Sequence, residues 1–162
     1  FPLCFITCNQ NKNKYDINLN NFKSLDNDIN ILFSDTTQFN IDISDYFTDD
    51  FVYHSFPAGH KKGVNTSKDD YISTVNQIKQ MGVVINVVHS IYLPGIDEHT
   101  YKLDGSVRVY YGADILVDSK LTNYSGYQTV NFKDGKVSEI WEWADFGGVS
   151  NHLKEFNKPL IQ

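Results

Sequence analysis

Four strand-like runs in the second half of the chain constrain its fold more than any other feature. Each run is rich in β-branched and aromatic residues, as strands are. The runs cover residues 83–93, 106–117, 124–132 and 136–145. Turn residues punctuate the region at Pro94-Gly95, Asp104-Gly105 and Asp134-Gly135, and an Asp-Gly pair between two such runs is a strong hairpin signal. The sequence therefore predicts a sheet of long, consecutive antiparallel strands.

Helical patterns precede and follow these strands. Apolar residues recur at helical spacing between Phe22 and Phe33, which predicts an amphipathic first helix. Residues 67–70 fit a capping box, and the helix they begin ends at Gly82. A short helix or turn at 41–50 leads into a strand at 51–56, a loop covers 57–65, and a short helix covers 149–156.

This order of elements predicts an α+β fold. We expect a cone-shaped, curved antiparallel sheet wrapped over two or three N-terminal helices, with a short C-terminal helix. Such a sheet leaves a conical cavity between its layers, where a small molecule can bind. A chain of 162 residues is long enough for one domain, which we place at residues 22–158. Residues 1–21 then form an apolar N-terminal segment with a flexible tether, and 159–162 form a tail.

The two cysteines both lie in the first eight residues, F-P-L-C-F-I-T-C, so the sequence predicts no disulfide framework. An apolar run that ends in Cys8 and is followed by a polar segment resembles the end of a bacterial lipoprotein signal peptide. This resemblance implies a lipid on Cys8 and anchoring in the bacterial envelope. Thr7 is a less usual neighbour there than Gly, Ala or Ser. A secretory signal, or a plain apolar segment on a cytoplasmic protein, is the alternative.

Charge and ligand patterns narrow the function. A net charge of −6 and a single arginine, Arg108, argue against nucleic acid as a partner. The five histidines show no metal-ligand spacing. We expect neither a metal nor a cofactor.

Asp145 is the candidate acid at the end of the last strand. Alternation places it on one strand face with Trp141 and Trp143. Beside indole rings an acid is desolvated, which raises its pKa and makes it a better proton acceptor. The alternative is that the tryptophans are core residues and Asp145 caps the next helix.

Three segments together resemble the SnoaL-like branch of the nuclear transport factor 2-like superfamily. They are residues 46–54 (Y-F-T-D-D-F-V-Y-H), Gly63 before the capped helix, and residues 132–148 (F-K-D-G-K-V-S-E-I-W-E-W-A-D-F-G-G). The resemblance implies a cone-shaped α+β barrel, and in many members a homodimer formed through the outer sheet face. In polyketide cyclases of this branch an aspartate at the end of the last strand acts as general base on a carbonyl compound, and Asp145 matches that position.

The resemblance also directs attention to residues that would contact a ligand. They are Tyr53, His54, Tyr71, His89, Tyr110, Tyr124, Gln128, Trp141 and Trp143, among which the tyrosines would stabilise an enolate. Three functions fit this pattern. The first is a cyclase or isomerase that uses acid–base chemistry on a small apolar carbonyl compound. The second is a carrier that binds such a ligand without turnover, and the third is a protein-interaction module built on the sheet face.

Overall fold

The computed structural model describes residues 4–34 and 42–155. Its helices are α1 (Cys4–Ser34), a short 3₁₀ helix (Ser44–Tyr46), α2 (Lys68–Gln80) and α3 (Phe146–Glu155). Its strands are β1 (Phe47–Ser55), β2 (Val64–Ser67), β3 (Val84–Ile96), β4 (Leu103–Val117), β5 (Lys120–Lys133) and β6 (Lys136–Ala144).

The six strands form one curved sheet in the order β2-β1-β6-β5-β4-β3. The predicted run of consecutive antiparallel strands is confirmed, since β3, β4 and β5 each pair antiparallel with the strand that follows. The sheet is mixed because β1 lies parallel to β6. These two strands are separated by about half of the chain, so no hairpin fixes their relative direction. With α1 and α2 over one face, the architecture is the predicted α+β cone.

The core lies between α1 and the inner face of the sheet. Phe22, Leu25 and Leu32 of the predicted helical stripe are each 1% exposed, and Val107 and Val109 of β4 are as deeply buried. Burying a side chain of this size contributes about 1.5–3 kcal/mol. This stripe therefore fixes α1 against the long strands.

The first helix begins earlier than the sequence predicts. Residues 9–21, predicted as a flexible tether, are helical in backbone. Asn18 is 2% exposed and donates a 2.8 Å hydrogen bond to the carbonyl oxygen of Gly105, and Asn21 donates one of the same length to Gly135. The asparagines that resemble linker composition thus satisfy carbonyl groups near the start of β4 and in the turn between β5 and β6.

Two smaller differences concern the first hairpin. Strand β1 begins at Phe47, inside the segment predicted as a helix or turn. Residues 64–67, which overlap the end of the loop predicted at 57–65, form β2 against it. No helix in the described part of the chain combines the length and apolarity needed to cross a bilayer. The predicted tail at 159–162 lies outside the described residues.

Candidate functional site

A cavity of ≈ 260 Å³ lies between the inner face of the sheet and helices α1 and α2. Most of its wall is apolar, from residues such as Ile29 and Phe33 of α1 and Ile78 of α2. Volumes of about 300–1,000 Å³ are typical of sites for drug-sized ligands, so this cavity suits a smaller molecule.

Glu142 on β6 is the centre of the polar groups in the cavity. It is 7% exposed, and its carboxylate accepts hydrogen bonds from the hydroxyl of Tyr53, from the hydroxyl of Tyr111 at 2.5 Å and from the amide nitrogen of Gln128 at 2.7 Å. Four strands meet here, because β1, β4, β5 and β6 each supply one of these side chains. The donors stabilise a charge that would otherwise be costly to bury.

The tyrosines around Glu142 are held in their protonated form. Burial, followed by the charge of Glu142, raises the pKa of Tyr53 and of Tyr111 far above the ordinary value. The same two causes raise the pKa of Tyr124 to about 12. The pKa of Tyr71 is also raised, first by burial and then by the charge of Glu142.

Asp26 on α1 is a second acid in the cavity wall. Its Oδ2 accepts a hydrogen bond of 2.8 Å from the hydroxyl of Tyr92. Burial raises the pKa of Asp26 to about 6; the Tyr92 bond opposes this shift and the charge of Glu142 adds to it. An acid whose pKa lies close to neutrality exchanges protons readily at physiological pH.

Periodicity in the sequence indicates Asp26 as a residue facing the core, whereas for Glu142 it gives only the residues that share its strand face. Asp26 follows Phe22 by four residues and precedes Ile29 by three, so it lies on the apolar face of α1 rather than on its polar face. Glu142 and Ile140 lie two residues apart on β6 and therefore on the same strand face. This face turns towards the cavity, whereas the sequence interpretation favoured the face with the tryptophans.

Trp141 and Trp143 lie on the outer face of the sheet, away from the cavity. The Trp141 ring stacks on His54 at 3.9 Å, and the Trp143 ring stacks on Phe56 at 4.6 Å. Tyr110 belongs to the same face and is 50% exposed. Four residues predicted to contact a ligand, His54, Tyr110, Trp141 and Trp143, therefore cover the outside of the sheet and do not line the cavity.

His89 also lies outside the cavity wall. The pairing of β3 with β4 is irregular between Val87 and His89, and a bulge of this kind shifts the alternation of side chains by one residue. Val87 and Ser90 line the cavity in consequence, while His89 is exposed opposite Gly112. A Cβ atom on Gly112 would lie 2.4 Å from the His89 ring, so a larger residue there would require the ring to move.

Asp145 caps helix α3. Its Oδ1 accepts a hydrogen bond of 2.7 Å from the backbone N–H of Gly148, and its side chain is exposed to solvent. Phe146, which follows it, borders the cavity and packs on Tyr124. The geometry at Asp145 is that of a helix N-cap.

Four of the predicted ligand contacts come together around the cavity: Tyr53, Tyr71, Tyr124 and Gln128. The side chain of Cys8 lies outside the described part of the chain. Within residues 4–34 and 42–155, no three metal-binding side chains converge, and the absence of a metal stays a prediction.

Comparisons with known proteins agree with this architecture. No protein-family model and no curated protein sequence matches the chain. Among solved structures, an NTF2-like protein from Anabaena variabilis is 15% identical with a TM-score of 0.59, over 80% of this chain and 90% of that one. A protein provisionally named a SnoaL-like polyketide cyclase, from Jannaschia sp. CCS1, is 12% identical with a TM-score of 0.53, over 84% and 90%.

A third structure, provisionally named an isomerase and from Rhodopseudomonas palustris, is 11% identical with a TM-score of 0.59, over 83% of this chain and 96% of that one. The chain therefore has the fold of NTF2-like and SnoaL-like proteins, as the sequence resemblance predicts. Identities this low establish the fold alone.

Proposed function

We propose that the protein binds a small, largely apolar carbonyl compound in the cavity and catalyses proton transfer at the carbon next to the carbonyl, with Asp26 as the proton acceptor. The observation that carries this proposal is an acid of raised pKa in the wall of an otherwise apolar cavity. Burial and neighbouring charge are the usual means by which enzymes tune an acid for proton transfer. The SnoaL-like fold is compatible with this chemistry.

In the proposed reaction the carboxylate of Asp26 takes a proton from the ligand's carbon, and the electron pair of the broken C–H bond moves to the carbonyl oxygen. The enolate that results needs a hydrogen-bond donor. Tyr71 lines the cavity, and its hydroxyl has no hydrogen-bond partner among the described residues. Its proton, held by the raised pKa, is available to the enolate oxygen.

Asp26 is preferred to Asp145 as the base because of where each carboxylate lies. Asp26 borders the cavity, whereas Asp145 is exposed and bonded to the backbone of α3. A general base must come within hydrogen-bonding distance of the proton it removes. The role of Asp145 as base stays a prediction that the same experiment can test.

Exchange of α-protons measures the proposed step whatever the final product is. The loss of the α-proton signals of 2-indanone in D₂O can be followed by ¹H NMR at pD 6–7. The protein-catalysed rate is the rate with protein minus the rate in buffer alone. General base catalysis contributes about 10²–10⁴-fold, so Asp26→Asn should lower the protein-catalysed rate by at least about 100-fold.

Asp28→Asn is the matched control, since Asp28 also lies on α1 and accepts a bond from a tyrosine, Tyr46. It should leave the exchange rate unchanged. If Asp145→Asn abolished exchange and Asp26→Asn did not, the base would be Asp145. Binding of 2-indanone with no exchange in the wild-type protein would instead favour the carrier function.

We also propose that a second copy of the chain covers the outer sheet face. Tyr110 and Trp143 are 50% and 43% exposed on this face, and apolar patches of this kind mark interfaces. Light scattering should give the mass of a dimer for the wild-type protein and of a monomer for Trp143→Arg. Met81→Arg is the control, because Met81 is an exposed apolar residue just beyond α2. A monomeric wild-type protein at micromolar concentration would rule out this dimer.

The lipid anchor on Cys8 is a further proposal, supported by the resemblance of residues 1–8 to the end of a lipoprotein signal. Labelled palmitate should be incorporated into the protein made in a bacterial cell from its natural precursor. Cys8→Ser should abolish the label, and Cys4→Ser should not. Label that persists in Cys8→Ser would place the lipid elsewhere.

A further inference from the structure

The charges in the cavity are of one sign. Asp26 and Glu142 both line it, and no lysine, arginine or histidine does so among the described residues. Three hydrogen bonds compensate Glu142, but they come from neutral groups. A positive charge beside these acids in the cavity would therefore have to come from the ligand.

The tyrosine hydroxyls that bond the two acids have only acceptor capacity left. The hydroxyl protons of Tyr53 and Tyr111 are directed to Glu142, so these tyrosines offer a ligand only the lone pairs of their oxygens. Tyr92 uses its proton in the same way on Asp26. A ligand with N–H groups would satisfy these acceptors, whereas a ligand with a carboxylate would lie beside two like charges.

The tyrosines also contribute ring faces. Tyr53 and Tyr71 pack with their ring centroids 5.1 Å apart, and both border the cavity. A cation over such a ring face is attracted by the negative charge of the face, most strongly when the cation is desolvated.

We propose that the ligand of this cavity carries a protonated amine on a compact apolar body, with the ammonium group seated between the acceptors around Glu142 and the carboxylate of Asp26. The proposal rests on the cavity being the ligand site, as proposed above, and does not depend on proton transfer by Asp26. The apolar walls and the volume of ≈ 260 Å³ suit a body the size of a fused bicyclic ring.

Binding of a cation should release a proton when Asp26 is partly protonated. The pKa of Asp26 is about 6, and a nearby positive charge lowers the pKa of a carboxyl group. Near pH 6 the protein should therefore lose a fraction of a proton when an amine binds. At pH 8 Asp26 is already ionised, so binding should release none.

Three probes on one ring system test the ligand class: 2-aminoindane, 2-indanol and indane-2-carboxylate. Isothermal titration calorimetry should give an affinity for the amine at least about tenfold higher than for the alcohol, and no measurable binding of the carboxylate. Titrations at pH 6 in two buffers of different ionisation enthalpy should show proton release with the amine only. An amine that binds no tighter than the alcohol, or a carboxylate that binds tightest, would overturn the proposal.

Two variants test whether Glu142 and Asp26 cause the preference for the amine. Glu142→Gln should lower the affinity for the amine about tenfold and leave that for the alcohol nearly unchanged, while Glu139→Gln, on the other face of β6, should change neither. Asp26→Asn should abolish proton release at pH 6. This second variant tests the proposal even if circular dichroism shows that Glu142→Gln does not fold. Equal losses of amine and alcohol affinity in Glu142→Gln would contradict a charge-based site.

These outcomes separate this inference from the proposed function. If 2-indanol binds and 2-indanone exchanges its α-protons, but the amine has no advantage, only the ligand class is refuted. If none of the three probes binds to the wild-type protein, the cavity is not a ligand site for compounds of this size, and both proposals fail.

Discussion

The ionisation of Asp26 should make the protein less stable as the pH rises, and Asp26→Asn should remove this dependence. The folded-state pKa of about 6 lies above the ordinary value of 3.8, so between these values the folded protein holds a proton that the unfolded chain has lost. By linkage, stability falls as the pH rises through this window and is constant above it. The sign is opposite to that of a carboxylate in a salt bridge, whose stabilising contribution is lost as the pH falls.

The magnitude follows from the size of the shift. A change from 3.8 to about 6 is roughly 2 pH units, and at about 1.4 kcal/mol per unit the full effect is roughly 3 kcal/mol. About 2 kcal/mol of this falls between pH 4.5 and pH 7.5, because about 1.5 units of the window lie above pH 4.5. That is a large fraction of the stability of a typical domain.

Urea unfolding at pH 4.5 and pH 7.5 measures this contribution. Other groups titrate over the same range, so the relevant quantity is the pH-dependent difference between wild-type protein and variant. Asp26→Asn should gain about 2 kcal/mol relative to wild type on going from pH 4.5 to pH 7.5, while Asp28→Asn should follow the wild-type profile. A difference between wild type and Asp26→Asn that does not change with pH would refute the raised pKa, and with it the reason for choosing Asp26 as the base.

Three further predictions concern how the cavity and its neighbours are held in place. Leu25→Ala, in the buried stripe of α1, should lower the free energy of unfolding by about 2–5 kcal/mol in urea, since it leaves a cavity; a loss under 1 kcal/mol would contradict the tight packing of α1. Gly126→Ala should lower the melting temperature and displace Tyr111, because a Cβ atom there would lie 2.4 Å from its ring; an unchanged ¹³C-labelled tyrosine spectrum would argue against that contact. Asp145→Ala should cost about 1 kcal/mol through the lost cap of α3, whereas Asp145→Asn, which can cap equally well, should cost little.

The elements could be predicted from sequence wherever a single pattern decides them. The strands from Val84 to Ala144 follow from their β-branched and aromatic residues, and the turn between β5 and β6 is the predicted Asp134-Gly135 pair. The turns predicted at Pro94-Gly95 and Asp104-Gly105 are wrong, because these pairs lie inside β3 and β4. The helix from Phe22 follows from a clear apolar period. The first part of α1 could not be predicted in this way, because Asn18 and Asn21 have low helix propensity. Their value to the fold depends on carbonyl groups of Gly105 and Gly135 that are distant in sequence.

The site was harder to predict because alternation gives two strand faces without saying which is buried. On β6 the larger and more apolar side chains, Trp141 and Trp143, suggest the inner face, but they stack with His54 and Phe56 on the outside. The inner face carries Glu142, which is tolerated there only because other strands bring Tyr53, Tyr111 and Gln128 to it. Such compensation depends on tertiary structure and leaves no local signal. The bulge before His89 places the later residues of β3 on the opposite face. It could not be predicted from local sequence because it depends on the pairing of β3 with β4.

The aromatic residues divide the molecule into two regions that can be observed separately by spectroscopy. The chain has two tryptophans, and both Trp141 and Trp143 belong to the outer face, where they stack on His54 and Phe56. Tyr53, Tyr71 and Tyr111 line the cavity, whereas Tyr110 and Tyr127 pack together on the outer face. Tryptophan emission should therefore respond to events at the outer face, and assigned NMR signals of ¹³C-labelled tyrosines in the cavity should respond to ligands. One labelled sample can thus report assembly and binding independently.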